Sequence, residues 1–538
     1  MRKRNLHILL LYFISSSLSN AQPLSIQWQK CFGGTLDEEF KAIRKTEEGG
    51  FIIDGGAISN DGNVSGNHGM GDYWIVRTDS FGNLIWQKCF GGSNGDIPFG
   101  ITIDNNKFIA VGITGSNDGD ITDLHNNTHG DGDFWFVKGD SVGNKIWAKC
   151  YGGTNTEEPS EIITCHDHGK LIIGYTRSND DDVSGLHDTT TGLYESDAWI
   201  VKIDTGGSIL WSKCYGGLWP EVGRSIVETP DSGFIFVADE RSVDGDATCD
   251  HAMSLADYWV VKIDSIGSIQ WSNCFGGYDD EIPRNIICTK DGGYAVIGTS
   301  ASNDFDVTDH HGAVGDLDAW VIKIDSVGNL QWTKSLGGSN NDIGFKIIQL
   351  PDSGFLTLCY TNSTDGDLAS TPANWTDVWL VKLDPSGNIE WGQTFGGSRD
   401  DAAYDIQLTP DGGVIFAGLT LSNDGDVSGN HGGFDGWLVK LNPLPNRINN
   451  SLYSFDEFSC TTIPATNSIS LTCYANKLTS GSVNLYDIGG RLLFHQRMSF
   501  KQGPNKKEIS GIDISCGIYL VRLETEDSVI TKKVAVLN

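Results

Sequence analysis

Asp133-Phe134-Trp135-Phe136-Val137-Lys138-Gly139-Asp140-Ser141-Val142-Gly143-Asn144-Lys145-Ile146-Trp147-Ala148-Lys149-Cys150-Tyr151-Gly152-Gly153 carries the reading of the fold. It is two strand-like segments joined by a tight turn, in which Gly143 supplies the positive φ of a bulged hairpin. Segments like its second half hold Trp28, Trp86, Trp147, Trp211, Trp271, Trp332 and Trp391, at spacings of 58, 61, 64, 60, 61 and 59 residues. Segments like its first half hold Trp74, Trp135, Trp199, Trp259, Trp320, Trp379 and Trp437. These are 14 of the 16 tryptophans, so one unit of about 60 residues is written seven times.

Each unit reads as four strands. Beside the two segments quoted stand a strand that ends at a turn such as Asp291-Gly292-Gly293 and a strand that follows it, as in Tyr294 to Ser300. The Asp-x-Trp strand is apolar at nearly every residue except lysine, which requires cover on both faces. Four-stranded sheets covered on both faces and repeated seven times predict an all-β chain with a seven-bladed β-propeller over residues 22–444. A β-solenoid is the rival, but its units are usually shorter and lack paired hairpins. The first unit opens with the Trp28 strand and the seventh ends with the Trp437 strand. Ser25 to Phe32 is therefore expected to pair with Gly436 to Asn442, closing the ring with one N-terminal strand.

The 538 residues carry 38 Lys plus Arg against 70 Asp plus Glu, a net charge of −32, which disfavours nucleic acid as a partner. With 39% hydrophobic residues the chain is too apolar for a disordered acidic tail. Arg2, Lys3 and Arg4, the apolar run Leu6 to Ile14 and the small-residue site Ser19-Asn20-Ala21 make residues 1–21 a secretory signal peptide by pattern. No later stretch reaches the roughly 20 apolar residues of a spanning helix. A monomer outside the cytoplasm, without a transmembrane segment, is expected.

From Pro445 the tryptophans stop and the charge changes sign: residues 445–538 are net +2, leaving −37 for 22–444. Short strands and the turn Asp487-Ile488-Gly489-Gly490 predict a small antiparallel β-sandwich. Val483-Asn484-Leu485-Tyr486-Asp487-Ile488-Gly489-Gly490-Arg491, Gly517-Ile518-Tyr519-Leu520-Val521 and Lys532-Lys533-Val534-Ala535-Val536 resemble the C-terminal sorting domain of type IX (Por) secretion cargo in Bacteroidota. Gly490, Arg491, Gly517, Tyr519, Lys532 and Lys533 stand at the motif positions. The entry segment departs from the family pattern, with Ile463-Pro464-Ala465-Thr466-Asn467 in place of a Tyr-Pro-Asn-Pro-like run. The resemblance implies the type IX machinery as a partner, export across the outer membrane, and release or surface anchoring.

Strand direction alternates, so the tight hairpins share one face of the disc and the long joints the other. The first long joint follows Phe-Gly-Gly with acid: Asp37-Glu38-Glu39, Asp96, Glu157-Glu158, Glu221, Asp279-Asp280-Glu281, Asp342, Asp400-Asp401. These read as a solvated rim. The second carries Asp61, Asp118, Asp180, Asp244, Asp304, Asp365 and Asp424, each followed at +2 by Asp120, Asp182, Asp246, Asp306, Asp367 or Asp426, and by Asn63 in the first unit. At +7 come His68, His125, His187, His251, His311 and His431, with Pro372 in the sixth unit. Two residues before each second tryptophan stands Asp72, Asp133, Asp197, Asp257, Asp318, Asp377 or Asp435. Asp-x-Asp in a glycine-bearing loop supplies the hard oxygens that Ca²⁺ takes, although imidazole suits softer metals. The competing reading, which repetition in every unit favours, is that these residues cap turns through backbone amides while histidine donates to an aspartate.

Cys31, Cys89, Cys150, Cys214 and Cys274 share one repeat position and read as buried thiols, because equivalent positions in neighbouring sheets stand beyond disulfide reach. No nucleophile elbow, zinc-protease helix or phosphate loop is present, so no catalytic residue is assigned. Trp219 and Trp375, outside the repeat, fall in the long joints and are the candidate ligand contacts. The sequence thus points to a secreted or surface binding and display protein that meets a protein, glycan or divalent cation through its acidic loop face. The alternatives are a glycan-active hydrolase using rim carboxylates and a purely structural module.

Overall fold

The computed structural model describes residues 24–443 apart from 126–131, 188–195, 248–254, 314 and 369–374, and strand segments between 455 and 536. The signal peptide lies outside the described residues, as do His251, Pro372 and Gly490. The chain divides into two compact units, Met1–Leu444 and Pro445–Asn538.

The first unit is all β apart from one short 3₁₀ turn among the described residues, and it repeats a four-stranded antiparallel sheet. In the first sheet Glu38–Lys45 pairs with Phe51–Ala57, which pairs with Asp72–Thr78, which pairs with Leu84–Phe90. Five more sheets follow in the same order. The last joins Asp401–Leu408, Val414–Thr420 and Asp435–Leu441 to the N-terminal strand Ile26–Phe32. Ile26 lies opposite Leu441, Cys31 opposite Trp437 and Phe32 opposite Gly436, so the closing pair forms as expected. Gln29 Oε1 accepts the Trp437 indole N–H at 3.1 Å across it. Each sheet packs on the next, and the strand Glu38–Lys45 packs on the last sheet, so the succession returns on itself as in a β-propeller.

The third strand of each sheet anchors this packing. Its seven tryptophans, from Trp74 to Trp437, are fully buried, and apolar clusters run continuously between neighbouring sheets. The outer-strand tryptophans clamp the sheets together from outside. Trp86 donates its indole N–H to the Ser141 carbonyl in the next sheet's hairpin, and Trp332 does the same to Pro385. The hairpin glycine beneath each ring has two reasons to be glycine. Gly387 holds φ +85, and a Cβ there would stand 2.7 Å from Trp332.

Cys31, Cys89, Cys150 and Cys214 are free thiols, whereas Cys274, expected to be one, is disulfide-bonded. Sheet spacing bars equivalent cysteines from pairing but leaves cysteines elsewhere in reach. The partner is none of the seven cysteines described as free. In the second unit Phe455–Ile463, Ser468–Ala475 and Gly503–Ile509 form one antiparallel sheet. Leu492–Phe500, Thr479–Asp487, Gly517–Glu524 and Val529–Val536 form another.

Gly387→Ala is expected to lower stability by about 2–4 kcal/mol, combining left-handed strain with overpacking. Gly49→Ala, at φ +88 with nothing within 4 Å of the new Cβ, should lose only about 1 kcal/mol of stability. Urea unfolding measures both, and equal losses would show that the tryptophan does not press on the hairpin.

Candidate functional site

At each junction the chain leaves an outer strand through two glycines and enters the next inner strand at an acid. Glu38, Asp96, Glu157, Glu221, Glu281, Asp342 and Asp401, expected in a solvated rim, are all buried. Each accepts the N–H of the second glycine, from Gly34 to Gly397, at 2.6–2.9 Å. Hydroxyls at the end of the second strand add to this: Thr176 donates to Glu157, Ser242 to Glu221 and Ser300 to Glu281. These donors replace water, which is what permits the burial.

The aspartate that opens each third strand is buried against the first glycine of the pair. A Cβ on Gly91 would stand 2.6 Å from Asp72 Oδ1 and 2.7 Å from Asp96 Oδ2. Two carboxyls therefore face one another across every junction. Burial, with the neighbouring aspartate adding to it, pushes Asp96 and Asp342 up to about 6, Glu157 and Glu281 to about 7 and Glu221 to about 8.

Histidine bridges consecutive units at these junctions. Nδ1 of His68, His125, His187, His311 and His431 lies 2.6–2.8 Å from Asp72, Asp133, Asp197, Asp318 and Asp435. Nε2 of His125, His187 and His311 faces Asp182, Asp246 and Asp367 of the following unit at 3.6–3.7 Å. In His125 burial is the largest influence and opposes the charge. The flanking aspartates nonetheless hold it, with His187 and His311, above the ordinary imidazole value.

The loop aspartates are turned to backbone. Asp61, Asp118, Asp180, Asp244, Asp304, Asp365 and Asp424 accept the N–H of Thr35, Ser93, Thr154, Leu218, Tyr278, Ser339 and Ser398 at 2.7–2.9 Å. Asp120, Asp182, Asp367 and Asp426 face glycine amides at 3.3–3.4 Å, and the backbone N–H groups of Asp246 and Asp306 donate to Gly216 and Gly276. The aspartates Asp257 and Asp377 are buried like their equivalents. Among the described residues no group of three or more His, Cys, Asp or Glu is arranged to hold a metal ion.

Against this uniform background the repeat breaks in two places. On the loop face Trp219 and Trp375 are 55% and 64% exposed, with Tyr278 at 62% and Phe305 at 65%. After the two glycines five units have Ser or Thr, whereas the fourth has Leu218-Trp219 and the fifth Tyr278. Phe305 replaces the loop-tip glycine of five other units and takes its left-handed backbone, φ 49, which a bulky residue rarely adopts. Exposed Val243 extends the same sector.

The second break lines the central channel, which the sequence reading did not single out. Every inner strand carries a bulge two residues after its opening acid, as between Pro159 and Glu161. The bulge residue of every inner strand, and in five of the seven its successor too, reaches a cavity of about 330 Å³, among them Lys41, Arg224, Arg284, Phe345 and Tyr404. Lys346 spans it to Glu161 at 2.8 Å. Aligning the units on their opening acid exposes the signal: Lys41, Phe99, Ser160, Arg224, Arg284, Phe345 and Tyr404 share one position that has no common residue type.

Residues 463–537 match the family described as Secretion system C-terminal sorting domain. The C-terminal unit carries a type IX sorting domain. In it Arg491 donates its N–H to Asp487 Oδ1 at 2.9 Å, closing the turn, and Tyr519 is buried at the entry of Gly517–Glu524. Gly517 and the strand holding Lys532 and Lys533 pair with each other's strand. The sorting domain marks the protein as secreted or attached to the cell surface. No described helix is long and apolar enough to cross a membrane.

The Regulatory protein FlaEY of Caulobacter vibrioides is 22% identical over 254 residues, covering 43% of this chain. The match spans 26% of that relative's length, about a quarter of it. Among solved structures, Sqt1 from Chaetomium thermophilum aligns at 11% identity and TM-score 0.38 over 78% of this chain and 99% of its own. XC5397 from Xanthomonas campestris, a gluconolactonase, aligns at 9% and 0.33 over 78% and 98%. Neither likeness bears on what this chain does.

Raised carboxyl and histidine values in the folded state have one sign. Protons bind the native state more tightly, so this stabilisation is complete below about pH 4, the unfolded carboxyl range, and is lost as pH rises toward 8. The melting midpoint is expected to be several degrees higher at pH 5.5 than at pH 8.5, and a rising profile would refute the buried pairs. EDTA is expected to leave the midpoint unchanged, and a shift of several degrees would return Ca²⁺ to the loops.

Proposed function

We propose that residues 22–444 form a seven-bladed β-propeller, followed by a small β-sandwich, and that the propeller is a recognition module displayed outside the cell through the type IX system. Its ligand is engaged on the loop face by the sector formed by Leu218, Trp219, Val243, Tyr278 and Phe305, with Trp375 contributing from the sixth unit. The observation that carries this reading is Phe305. A phenylalanine held in a glycine conformation costs about 1 kcal/mol, and its ring is largely exposed to solvent. Residues kept against stability serve contact.

An exposed cluster of this kind suits a ligand with an apolar face, such as the CH face of a neutral sugar or an apolar patch on a protein. The surrounding acid disfavours anionic ligands. A hydrolase reading draws no support from the loop carboxylates, whose oxygens are directed at backbone amides and hydroxyls.

Trp219→Ala is expected to weaken binding on a neutral-glycan array, or to a surface-protein extract, by about 30-fold while shifting the melting midpoint by no more than about 2 °C. Phe305→Gly should raise stability by about 1 kcal/mol and weaken the same binding. Undiminished binding in both variants would overturn the loop-face site, and bound sugar recovered cleaved would make the protein an enzyme. A chain truncated after Leu444 should remain cell-associated in a type IX-competent host. Its appearance in the medium at full-length levels would remove the sorting role.

A further inference from the structure

The channel gathers five cations from inner strands of a unit that is otherwise strongly acidic, and four of them are satisfied. Arg44 pairs with Asp405 at 2.5 Å, and Arg224 holds Asp239 with two bonds, at 2.6 and 3.0 Å. Lys346 meets Glu161. Lys41 meets Glu39 at 2.9 Å and lies over the Tyr404 ring. Arg284 is the fifth. Its guanidinium makes no hydrogen bond or ion pair among the described residues, and its Nε is sealed from solvent without a partner. It lies 5.0 Å from the centre of the Phe345 ring, which packs edge-on against Tyr404 at 5.2 Å and beside Tyr360 at 5.4 Å. Burial and the nearby Arg224 both disfavour its charge.

A half-buried guanidinium whose Nε is sealed without a partner lowers stability unless something else completes it. Its planar fork matches a carboxylate, and the rings beside it offer flat apolar faces. The cavity, about 330 Å³, falls at the lower end of small-ligand sites.

We propose that the central channel is a binding site for a small ring-bearing carboxylate, whose oxygens complete Arg284 while its ring lies against Phe345 and Tyr404. The site is independent of the loop-face sector. Two sources share this chemistry, a uronic acid and an aromatic acid, and their neutral counterparts separate charge recognition from ring stacking.

The test uses the full secreted protein in titration calorimetry with sodium glucuronate, sodium benzoate, glucose, benzyl alcohol and sodium sulfate. At least one of the two acids is expected to bind saturably, at least tenfold more tightly than its neutral counterpart and than sulfate. Arg284→Gln should abolish that binding and Arg284→Lys should weaken it. The ligand-free melting midpoint of Arg284→Gln should equal or exceed the parent's, because the substitution removes an unpaired, half-buried charge. Trp219→Ala should bind the acid normally, which keeps this result separate from the loop-face reading. The proposal falls if neither acid binds, if sulfate binds as tightly, if Arg284→Gln binds like the parent, or if that variant melts several degrees lower, since the arginine would then be a structural residue.

Discussion

Every sheet in this ring is fastened to the next by a carboxyl that the chain has buried. As the backbone crosses two glycines into a new inner strand, its opening acid receives the second glycine's N–H and the hydroxyls of the strand beside it, as Glu157 does from Gly153 and Thr176. Crossing segments leave backbone donors without ladder partners, and a buried donor without an acceptor loses of the order of 1–3 kcal/mol. A short acid at that place answers the requirement from within. The glycines follow, because a Cβ on the first would collide with the two carboxyls that meet there and a Cβ on the second with the loop aspartate and a serine. The protein therefore places its acid inside the junctions as well as on its surface.

With folding secured by repetition, function is best sought where repetition stops. A junction present in every unit belongs to the ring. Leu218-Trp219, Tyr278 and Phe305 occur in neighbouring units on the loop face, and Arg224, Arg284 and Phe345 at one position of three consecutive inner strands. Both sets sit on positions that the uniform parts of the units hold rigidly, so their side chains are presented on a pre-ordered frame. The acidic charge of the ring and the sorting domain beyond it fit a protein that works outside the cell, where burial leaves Cys89 and Cys165 with their thiols pushed up to about 12 and poorly reactive.

The sequence by itself determined the repeated four-stranded sheets, the order of strands, the closing partnership of Ser25 to Phe32 with Gly436 to Asn442, and the sorting domain. Each of these is written in local chemistry: two-residue alternation, turn residues that require positive φ, and tryptophans at a fixed period. Tertiary structure alone decided the rest. The opening acids read as solvent-facing because their amide and hydroxyl partners are supplied by crossings and strand ends that the sequence does not show to be close. Strict alternation would send Phe345 and Lys346 to opposite faces, and only the bulge turns both toward the channel. Arg224 and Arg284, scarce along the chain, share the cavity because a closed ring brings one position of every unit to its axis.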